Sequence, residues 1–260
     1  MSLLDAWARW DSKKAPYVFD GDRSVLKPEV ANRALLTWTS WSEAYGAPDF
    51  CAPGDARLHL GLLPQPFFGD LRNASIYVLL LNPGLSADDY YAEYEVPAYR
   101  EAIRSNLRQE PGAEPGSFLF LDPRFGWHAG FHWWNRKLSS VIQKIALAKN
   151  TSLAEARALL ATRIASIEMV PYHSATFKDS GRWVERLESA KLAREFVRDF
   201  VLPRARAGEA IIIATRQVSA WNLPQHPGVV VYSPGESRAA HLTPDSRGGR
   251  AILRHLGVSE

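Results

Sequence analysis

A strongly apolar run leads directly into a short polar loop, Leu81-Asn82-Pro83-Gly84-Leu85-Ser86. Pro83 fixes its own backbone angle and biases Asn82 toward extended geometry, while Gly84 permits a sharp turn or a close approach of the backbone. The sequence therefore predicts that the Asn82 amide is a preorganised polar group at a rigid strand end. An ordinary Asn-Pro-Gly turn without a chemical role explains the same residues equally well.

Cations and glycines concentrate near the carboxyl terminus. The stretch contains Ser237, Arg238, His241, Ser246, Arg247, Gly248, Gly249 and Arg250. Arginines beside the glycine-containing start of a predicted helix favour phosphate binding, with Arg247 and Arg250 as the ligands. A solvated basic surface is the alternative. Since 31 basic residues oppose 28 acidic ones, for a net charge of +3, any phosphate-binding surface must be local.

The elements that must position these residues are apolar runs separated by segments of helical period. Predicted strands are Ser75 to Leu81, Phe118 to Leu121, Ala165 to Val170, Ala210 to Ala214 and Val229 to Tyr232. Predicted helices are Trp133 to Ala148, Ser152 to Thr162, Trp183 to Val201 and Ser246 to Leu256, with Pro203 ending the third. This alternation predicts an α/β fold, a three-layer α/β/α sandwich with a mostly parallel central sheet of four or five strands. Ligands of such folds bind beyond the carboxyl ends of the strands.

The first seventy residues are rich in tryptophan and contain no clear strand. We expect residues 1–70 to form a helical or irregular collar packed on an α/β domain of residues 71–260. A single cysteine, Cys51, excludes an internal disulfide and offers no thiolate cluster for a metal, which favours the cytoplasm. No export signal is evident, and no apolar run approaches the ~20 residues needed to cross a bilayer.

Two strand-end segments resemble motifs of the uracil-DNA glycosylase superfamily. The loop from Leu81 to Ser86 is similar to its first motif, particularly in the mismatch-specific uracil/thymine-DNA glycosylase branch, where a strand ends in an N-P-G turn. Tyr232-Ser233-Pro234-Gly235-Glu236-Ser237-Arg238 resembles its closing motif. The motifs occur in the right order, and the resemblance covers roughly Ser75 to Leu256. It implies a divergent member with a uracil-DNA glycosylase-like fold.

The resemblance implies a DNA glycosylase that hydrolyses the N-glycosidic bond of a damaged or modified base in DNA, without metal or cofactor. Asn82 would hold a water beneath C1′; an amide cannot take a proton, so it would act by positioning the water. Donors from Tyr232, His241 or the backbone N–H groups around Ser233 to Gly235 would stabilise the leaving base. A monomer is favoured, although the oligomeric state is open.

Further substrate contacts also follow from the resemblance. The superfamily places a base-stacking aromatic residue after the second strand, where Phe125 and Trp127 are the candidates. Aromatic side chains beside helices more often pack in the core, so a structural role is the stronger alternative for either ring. Other expected contacts to the base or the DNA backbone are Pro83, Gly84, Ser233, Gly235, Ser237 and Arg238.

The third strand departs from the superfamily pattern. An asparagine often reads the uracil edge there, whereas this chain has Ile167-Glu168-Met169-Val170-Pro171-Tyr172-His173-Ser174. The Glu168 carboxylate would accept a hydrogen bond from an exocyclic amino group, such as that of cytosine, and would repel the O4 of uracil. An ion pair for Glu168 and a structural turn role for His173 are equally open. The departure indicates a substrate other than plain uracil.

Several other functions lack their key residues. The chain has no phosphate-binding G-x-x-x-x-G-K-S/T loop, no Rossmann glycine triplet and no G-x-S-x-G elbow, which disfavours nucleotide hydrolases, dehydrogenases and serine hydrolases. The remaining alternative is a non-catalytic nucleic-acid or nucleotide binding module that retains the glycosylase fold.

Overall fold

The computed structural model describes residues 2–27, 35–52, 54–109, 118–177, 183–216 and 218–258, and at positions 35, 36, 218, 238 and 239 it describes the backbone alone. Strands in this part of the chain are Leu35–Leu36 (β1), Leu58–His59 (β2), Phe67–Phe68 (β3), Ile76–Leu80 (β4), Ile164–Glu168 (β5), Ile211–Ala214 (β6) and Val229–Val231 (β7). β1 and β2 form a parallel pair, and the other strands form a five-stranded open sheet in the order β3-β5-β4-β6-β7.

Helices alternate with these strands. They are Leu3–Arg9 (α1), Trp41–Gly46 (α2), Ala87–Glu95 (α3), Pro97–Arg108 (α4), Ala129–Lys149 (α5), Leu153–Ala161 (α6), Glu188–Phe196 (α7), Leu202–Arg206 (α8), Val218–Trp221 (α9), Pro234–Ala239 (α10) and Arg247–His255 (α11). Short 3-10 turns are Asp20–Asp22, Leu119–Leu121, Pro123–Phe125 and Val184–Arg186, and Val197–Val201 is a π-helical segment.

The larger sheet is mostly parallel. β4 pairs in parallel with β6, and β6 pairs in parallel with β7. The Ile76 N–H donates to the Arg163 carbonyl at one end of β4, and the Val170 N–H donates to the Leu81 carbonyl at the other, so β5 also runs parallel to β4. All residues of β4, β5 and β6 are buried, as expected for strands covered on both faces. The chain is therefore an α/β protein, as its alternation of strands and helices predicts.

Four of the five predicted strands are present, and one prediction is wrong. Residues Phe118 to Leu121 form a 3-10 turn, closed by the Leu121 N–H on the Phe118 carbonyl at 2.8 Å. The run is apolar because its rings pack in the core: Phe118 lies edge-on to Trp134, with ring centroids 4.7 Å apart. Burial by itself does not distinguish such a turn from a short strand.

The helical region after Trp183 also differs from its prediction. Pro203 does not end it, because this residue lies in the first turn of α8, where the N–H that proline lacks has no helical partner in any case. A π-helical segment separates α7 from α8. The first seventy residues do contain strands, but each of β1, β2 and β3 has only two residues.

The chain forms two compact units, each assembled from separate stretches of sequence. The first contains Met1–Phe67, Leu81–Glu110 and Glu168–Glu195, and the second contains Phe68–Leu80, Pro111–Ile167 and Phe196–Glu260. Whether residues 1–70 are a collar on a separate domain stays a prediction.

The first unit has an aromatic core. Ala44, Leu62 and Tyr90 are completely or almost completely buried, and Trp38, Trp41, Phe50, Leu85 and Tyr94 pack against them. Two of the tryptophans near the amino terminus therefore belong to a packed cluster. The core of the second unit is the sheet itself, with apolar residues such as Val78, Ile212, Leu138 and Ile252 fully buried.

Candidate functional site

The side chain of Asn82 is held in one orientation by neighbours from two segments of the first unit. Its Nδ2 group donates to the Pro83 carbonyl at 2.7 Å, to the Ser174 hydroxyl at 3.0 Å and to the Tyr172 carbonyl at 3.3 Å. Because a carbonyl can only accept, the two carbonyls determine which end of the amide faces them. Asn82 is half-buried, and no group among the described residues donates to its Oδ1 atom. The amide thus presents a positioned acceptor.

The loop that carries Asn82 is attached to the residues after β5. The Leu81 carbonyl accepts from the Val170 N–H at 2.8 Å, and the Pro83 carbonyl accepts from the Ser174 N–H at 3.4 Å. His173 Nδ1 lies 2.9 Å from the Gly84 carbonyl oxygen, so the ring carries a proton at Nδ1. These bonds position the loop.

Gly84 does not need the conformational freedom of glycine at this point. Its φ lies outside the left-handed region, and a Cβ atom built on it would meet nothing within 4 Å. The sharp turn or close approach that a glycine permits is therefore not used at Gly84. The missing side chain instead leaves open space beside the loop.

Tyr172 anchors the segment that holds Asn82. Its hydroxyl donates to Asp22 Oδ2 at 2.6 Å and accepts from the Phe19 N–H at 3.1 Å. Asp22 is fully buried and also accepts from the hydroxyl and the backbone N–H of Ser189, at 2.5 and 3.0 Å. Burial raises the pKa of Asp22 in spite of these hydrogen bonds, and burial also raises the pKa of Tyr172. The segment that holds Asn82 is therefore anchored to the buried side chain of Asp22.

His59 joins this region, although nothing in its surrounding sequence marks it as functional. Its backbone N–H donates to the His173 carbonyl at 3.0 Å, and its Nδ1 lies 3.2 Å from the Tyr90 hydroxyl oxygen. Nε2 lies 3.7 Å from Asp55 Oδ2. Burial lowers the pKa of His59 to about 4, so the ring is neutral at pH 7. It is suited to supporting the site rather than to exchanging protons at neutral pH.

Glu168 is the last residue of β5 and is buried, with 7% of its surface exposed. Its backbone N–H donates to the Pro66 carbonyl at 2.9 Å. The structure thus places Glu168, Tyr172, His173 and Asn82 in the same compact unit. The predicted functions of Glu168 and His173 in reading a base stay predictions.

Tyr232, in the second unit, is bonded to protein groups through its hydroxyl. It is buried, donates to the His241 carbonyl and accepts from the Gly248 N–H at 3.2 Å. The hydroxyl has one proton, which is already donated. Tyr232 can therefore serve a leaving base only if this hydrogen bond is broken. The His241 side chain, in contrast, is exposed.

The segment after Tyr232 is a short helix rather than an open turn. Ser233 caps α10, accepting from the Glu236 N–H, while the Ser233 N–H donates to Glu236 Oε2 at 2.7 Å. Ser237 Oγ donates to the Ser233 carbonyl at 2.9 Å. Gly235 is exposed in the first turn of α10, and the side chain of Arg238 lies outside the described residues. The capping box uses polar groups that the resemblance assigns to a substrate.

The predicted phosphate-binding groups of α11 are already bonded. Arg247 donates to the Val231 carbonyl at 2.9 Å and lies 3.6 Å from Glu236 Oε2, and Arg250 donates to the Asp245 carbonyl. The Gly249 N–H donates to Ser246 Oγ at 3.0 Å. A phosphate at this helix start would therefore have to displace bonds within the protein.

Gly248 and Gly249 have a packing role. A Cβ atom on Gly248 would lie 2.5 Å from the Tyr232 hydroxyl, and one on Gly249 would lie 1.8 Å from the Thr243 carbonyl oxygen. The glycines allow α11 to approach its neighbours closely, and phosphate binding is not needed to explain them.

The two candidate base-stacking aromatic residues differ in burial. Phe125 is buried with 4% of its surface exposed, whereas Trp127 is 41% exposed. A ring in the core cannot stack on a base without rearrangement, so Trp127 is the better placed of the two. Its ring also lies edge-on to His128, with centroids 5.6 Å apart.

A cavity of about 280 Å³ in the second unit lies at the amino ends of the strands. Its lining contains Ser75, Lys149, Leu159, Arg163, Glu209, His255 and Leu256. Lys149 is in the last turn of α5, where a cation complements the helix dipole. Burial and the charge of Arg163 lower the pKa of His255, which is in the last turn of α11.

The described residues contain no group of three or more His, Cys, Asp or Glu side chains placed to hold a metal ion. Among the helices of the described stretches, none combines the length and apolar character that a membrane crossing requires. Comparison of the chain with protein-family models, curated proteins and solved structures finds no match.

Proposed function

We propose that this protein is a DNA glycosylase-like hydrolase with a three-layer uracil-DNA glycosylase-like fold, which cleaves the N-glycosidic bond of a damaged or modified base. The observation that carries the proposal is the geometry of Asn82. Its Nδ2 group is held by three acceptors while Oδ1 has no donor among the described residues. The resemblance of the loop from Leu81 to Ser86 to the first glycosylase motif supports the same role.

In this proposal Oδ1 of Asn82 accepts a hydrogen bond from a water and holds it against the sugar. The water oxygen forms a bond to C1′ as the bond between C1′ and the base nitrogen breaks, and the electron pair of that bond leaves with the base. The water loses its proton to solvent or to the departing base. Asn82 contributes by positioning the water, because an amide does not accept a proton near neutral pH.

The buried surroundings of Asn82 support this role physically. Tyr172, whose carbonyl accepts from the Asn82 amide, is itself tied to the buried Asp22. The polar group is therefore held before a ligand arrives, which reduces the cost of ordering it during the reaction. Glu168 in place of an amide favours a base with an exocyclic amino group over plain uracil.

A binding module without catalysis is the second candidate. It is favoured by the same Glu168, because a buried carboxylate stands where the superfamily often has an amide. Such a module would bind the modified base and release no product.

The test is a panel of oligonucleotides containing uracil, mismatched thymine, hypoxanthine or substituted cytosines. Each is incubated with the protein and then treated with alkali, which cleaves the strand at any abasic site. We expect cleavage with at least one substrate and a loss of about 100-fold or more in Asn82→Ala, because water positioning is lost.

Asn73→Ala is the matched control. It removes the same amide from an exposed turn, where Asn73 Nδ2 donates to Asp70 at 2.8 Å, and it should cleave at the wild-type rate. Equal rates in wild type and Asn82→Ala would overturn the proposal. Binding across the panel with no cleavage would select the binding module.

A further inference from the structure

Three cations lie close together in the second unit, away from the arginines of α11 that the sequence singles out. Arg136 and Lys137 are consecutive on α5, and Arg216 follows β6 by two residues. The Lys137 side chain is mostly buried, donates from Nζ to the Ala240 carbonyl at 2.9 Å and lies 4.3 Å from the centroid of the Trp133 ring. Lys137 is therefore held in one place.

These positive charges act on one another. Burial, together with the charges of Arg216 and Arg136, lowers the pKa of Lys137 to about 8. Like charges at short range are unfavourable for the folded protein unless something of opposite charge lies near them. An anion bound beside the three groups would relieve this repulsion.

The described part of the protein does not supply one for the arginines. Within it, no carboxylate forms an ion pair with Arg136 or Arg216, whereas Arg57, Arg124 and Arg247 each have an aspartate or glutamate partner. Arg136 is exposed and Arg216 is half-buried, so both guanidinium groups can reach a ligand. Guanidinium groups match the oxygens of phosphate with paired hydrogen bonds.

The location also favours a ligand. β6 ends at Ala214, and the Thr215 N–H donates to the Leu79 carbonyl at 3.1 Å, so Arg216 emerges at the carboxyl ends of the parallel strands β4 and β6. Open α/β sheets bind ligands at this edge. The Trp133 ring beside Lys137 adds an aromatic surface of the kind on which sugars and bases pack.

We propose that Arg136, Lys137 and Arg216 bind the phosphate backbone of a nucleic acid. The ring of Trp133 favours a nucleic acid over a free phosphate ion, because the latter has no surface to stack. The proposal deepens the proposed function, because it assigns to these three residues the DNA-backbone contacts that were predicted for Arg247 and Arg250. It rests on the proposed function only for the statement that the nucleic acid is DNA.

The test measures binding of fluorescein-labelled single-stranded and duplex oligonucleotides by fluorescence anisotropy. The oligonucleotides contain no modified base, so the result does not depend on base release. Each phosphate contact contributes about 0.7 to 0.9 to the slope of log affinity against log salt. Raising the salt from about 50 to 200 mM weakens binding by a certain factor in wild type. We expect this factor to be roughly threefold smaller in Arg136→Gln and in Arg216→Gln, because each variant has lost one phosphate contact.

Arg206→Gln is the matched control, because Arg206 is an exposed arginine in the last turn of α8, which precedes the amino end of β6. It should keep the wild-type salt slope. Wild-type slopes in both Arg136→Gln and Arg216→Gln, or an equal reduction in Arg206→Gln, would overturn the proposal.

A second arm separates nucleic acid from free phosphate. Inorganic phosphate is added at constant ionic strength, and its competition with the oligonucleotide is compared between wild type and Arg216→Gln. If phosphate binding depends on Arg216 while oligonucleotide binding does not, the assignment to nucleic acid is overturned. A reduced salt slope together with no cleavage in the base panel would support this site and reject the glycosylase proposal.

Discussion

Two segments of the chain follow strands of the larger sheet and carry the polar residues that predict a glycosylase, yet the structure uses their polar groups differently. Around Asn82, backbone carbonyls hold the amide nitrogen, and no described group donates to the amide oxygen. From Tyr232 to Arg250, the Tyr232 hydroxyl, the Gly249 N–H and the guanidinium of Arg247 are all bonded to other protein groups.

The difference shows that residue types alone do not separate a ligand site from a structural network. Both segments contain the residues expected of a site, and both have turn and cap signals. What distinguishes them is the number of hydrogen-bond donors and acceptors that have no partner within the protein. By that measure the Asn82 segment keeps one acceptor without a donor among the described residues, and the Tyr232 segment holds α10 and α11 in place.

The largest effect that tests this comparison is expected from a pair of glycine substitutions. Gly249→Ala should cost about 3 kcal/mol or more, because its Cβ atom would overlap the Thr243 carbonyl. Gly84→Ala should change the free energy of unfolding by less than about 0.5 kcal/mol, because its Cβ atom points into open space. Urea unfolding measures both, and equal costs would contradict the assigned roles.

A smaller effect is expected for Tyr232→Phe. Losing the hydroxyl leaves the Gly248 N–H and the His241 carbonyl without their buried partner, which should cost about 2 kcal/mol. Thermal unfolding measures the loss. Asn82→Ala is the comparison, and should cost no more than about 1 kcal/mol, because Asn82 itself is half-buried and water can take the place of its amide.

The activity assay should reverse that order. The Tyr232→Phe variant, where it remains folded, should release a base at nearly the wild-type rate. The Asn82→Ala variant should release it far more slowly. A stable Tyr232→Phe variant with lost base release would instead place the hydroxyl on the substrate.

A third comparison concerns one carboxyl group in each unit. Burial raises the pKa of Glu93 to about 8, although its oxygens accept from the Leu63 N–H at 3.1 and 2.9 Å. Hydrogen bonds from Ser233 lower the pKa of the exposed Glu236. The two groups therefore affect stability with opposite dependence on pH.

Between the ordinary value of 4.5 and about 8, the folded protein keeps a proton on Glu93 that the unfolded chain has lost. Stability from this group should fall as pH rises through that window, on the order of 1 kcal/mol per pH unit. The contribution of Glu236 is present above its ordinary pKa and is lost as pH falls through the lowered value.

Urea unfolding of Glu93→Gln from pH 5 to 9 tests this prediction. Because the lowered pKa of His59 contributes an opposing slope below about 6.5 in both proteins, the test is the difference between their profiles. The glutamine oxygen can still accept from the Leu63 N–H but carries no charge, so the variant should lack the fall in stability that Glu93 contributes. Glu101→Gln, at an exposed position on α4, should keep it. Parallel profiles for wild type and Glu93→Gln would show that Glu93 does not bind a proton in this range.

Local patterns in the sequence determined much of the architecture. β4, β6 and β7 are continuous apolar runs, and α6 and α11 lie within the helices predicted from Ser152 and from Ser246, the two residues that cap them. The end of β4 before Asn82-Pro83 also follows from local chemistry, because proline has no N–H for the ladder. Each of these features depends on residues that are neighbours in the chain.

Only the tertiary structure decided which polar groups remain for a ligand. Asn82 is oriented by Ser174, which lies 92 positions further along the chain, and Tyr172 is anchored by Asp22, which lies 150 positions before it. His59 and Arg216 carry no local signature, and their environments arise from residues that folding brings together. The physical reason is that a hydrogen bond or a charge is satisfied by whatever folding places within a few ångströms, and a single sequence without its fold does not state those distances.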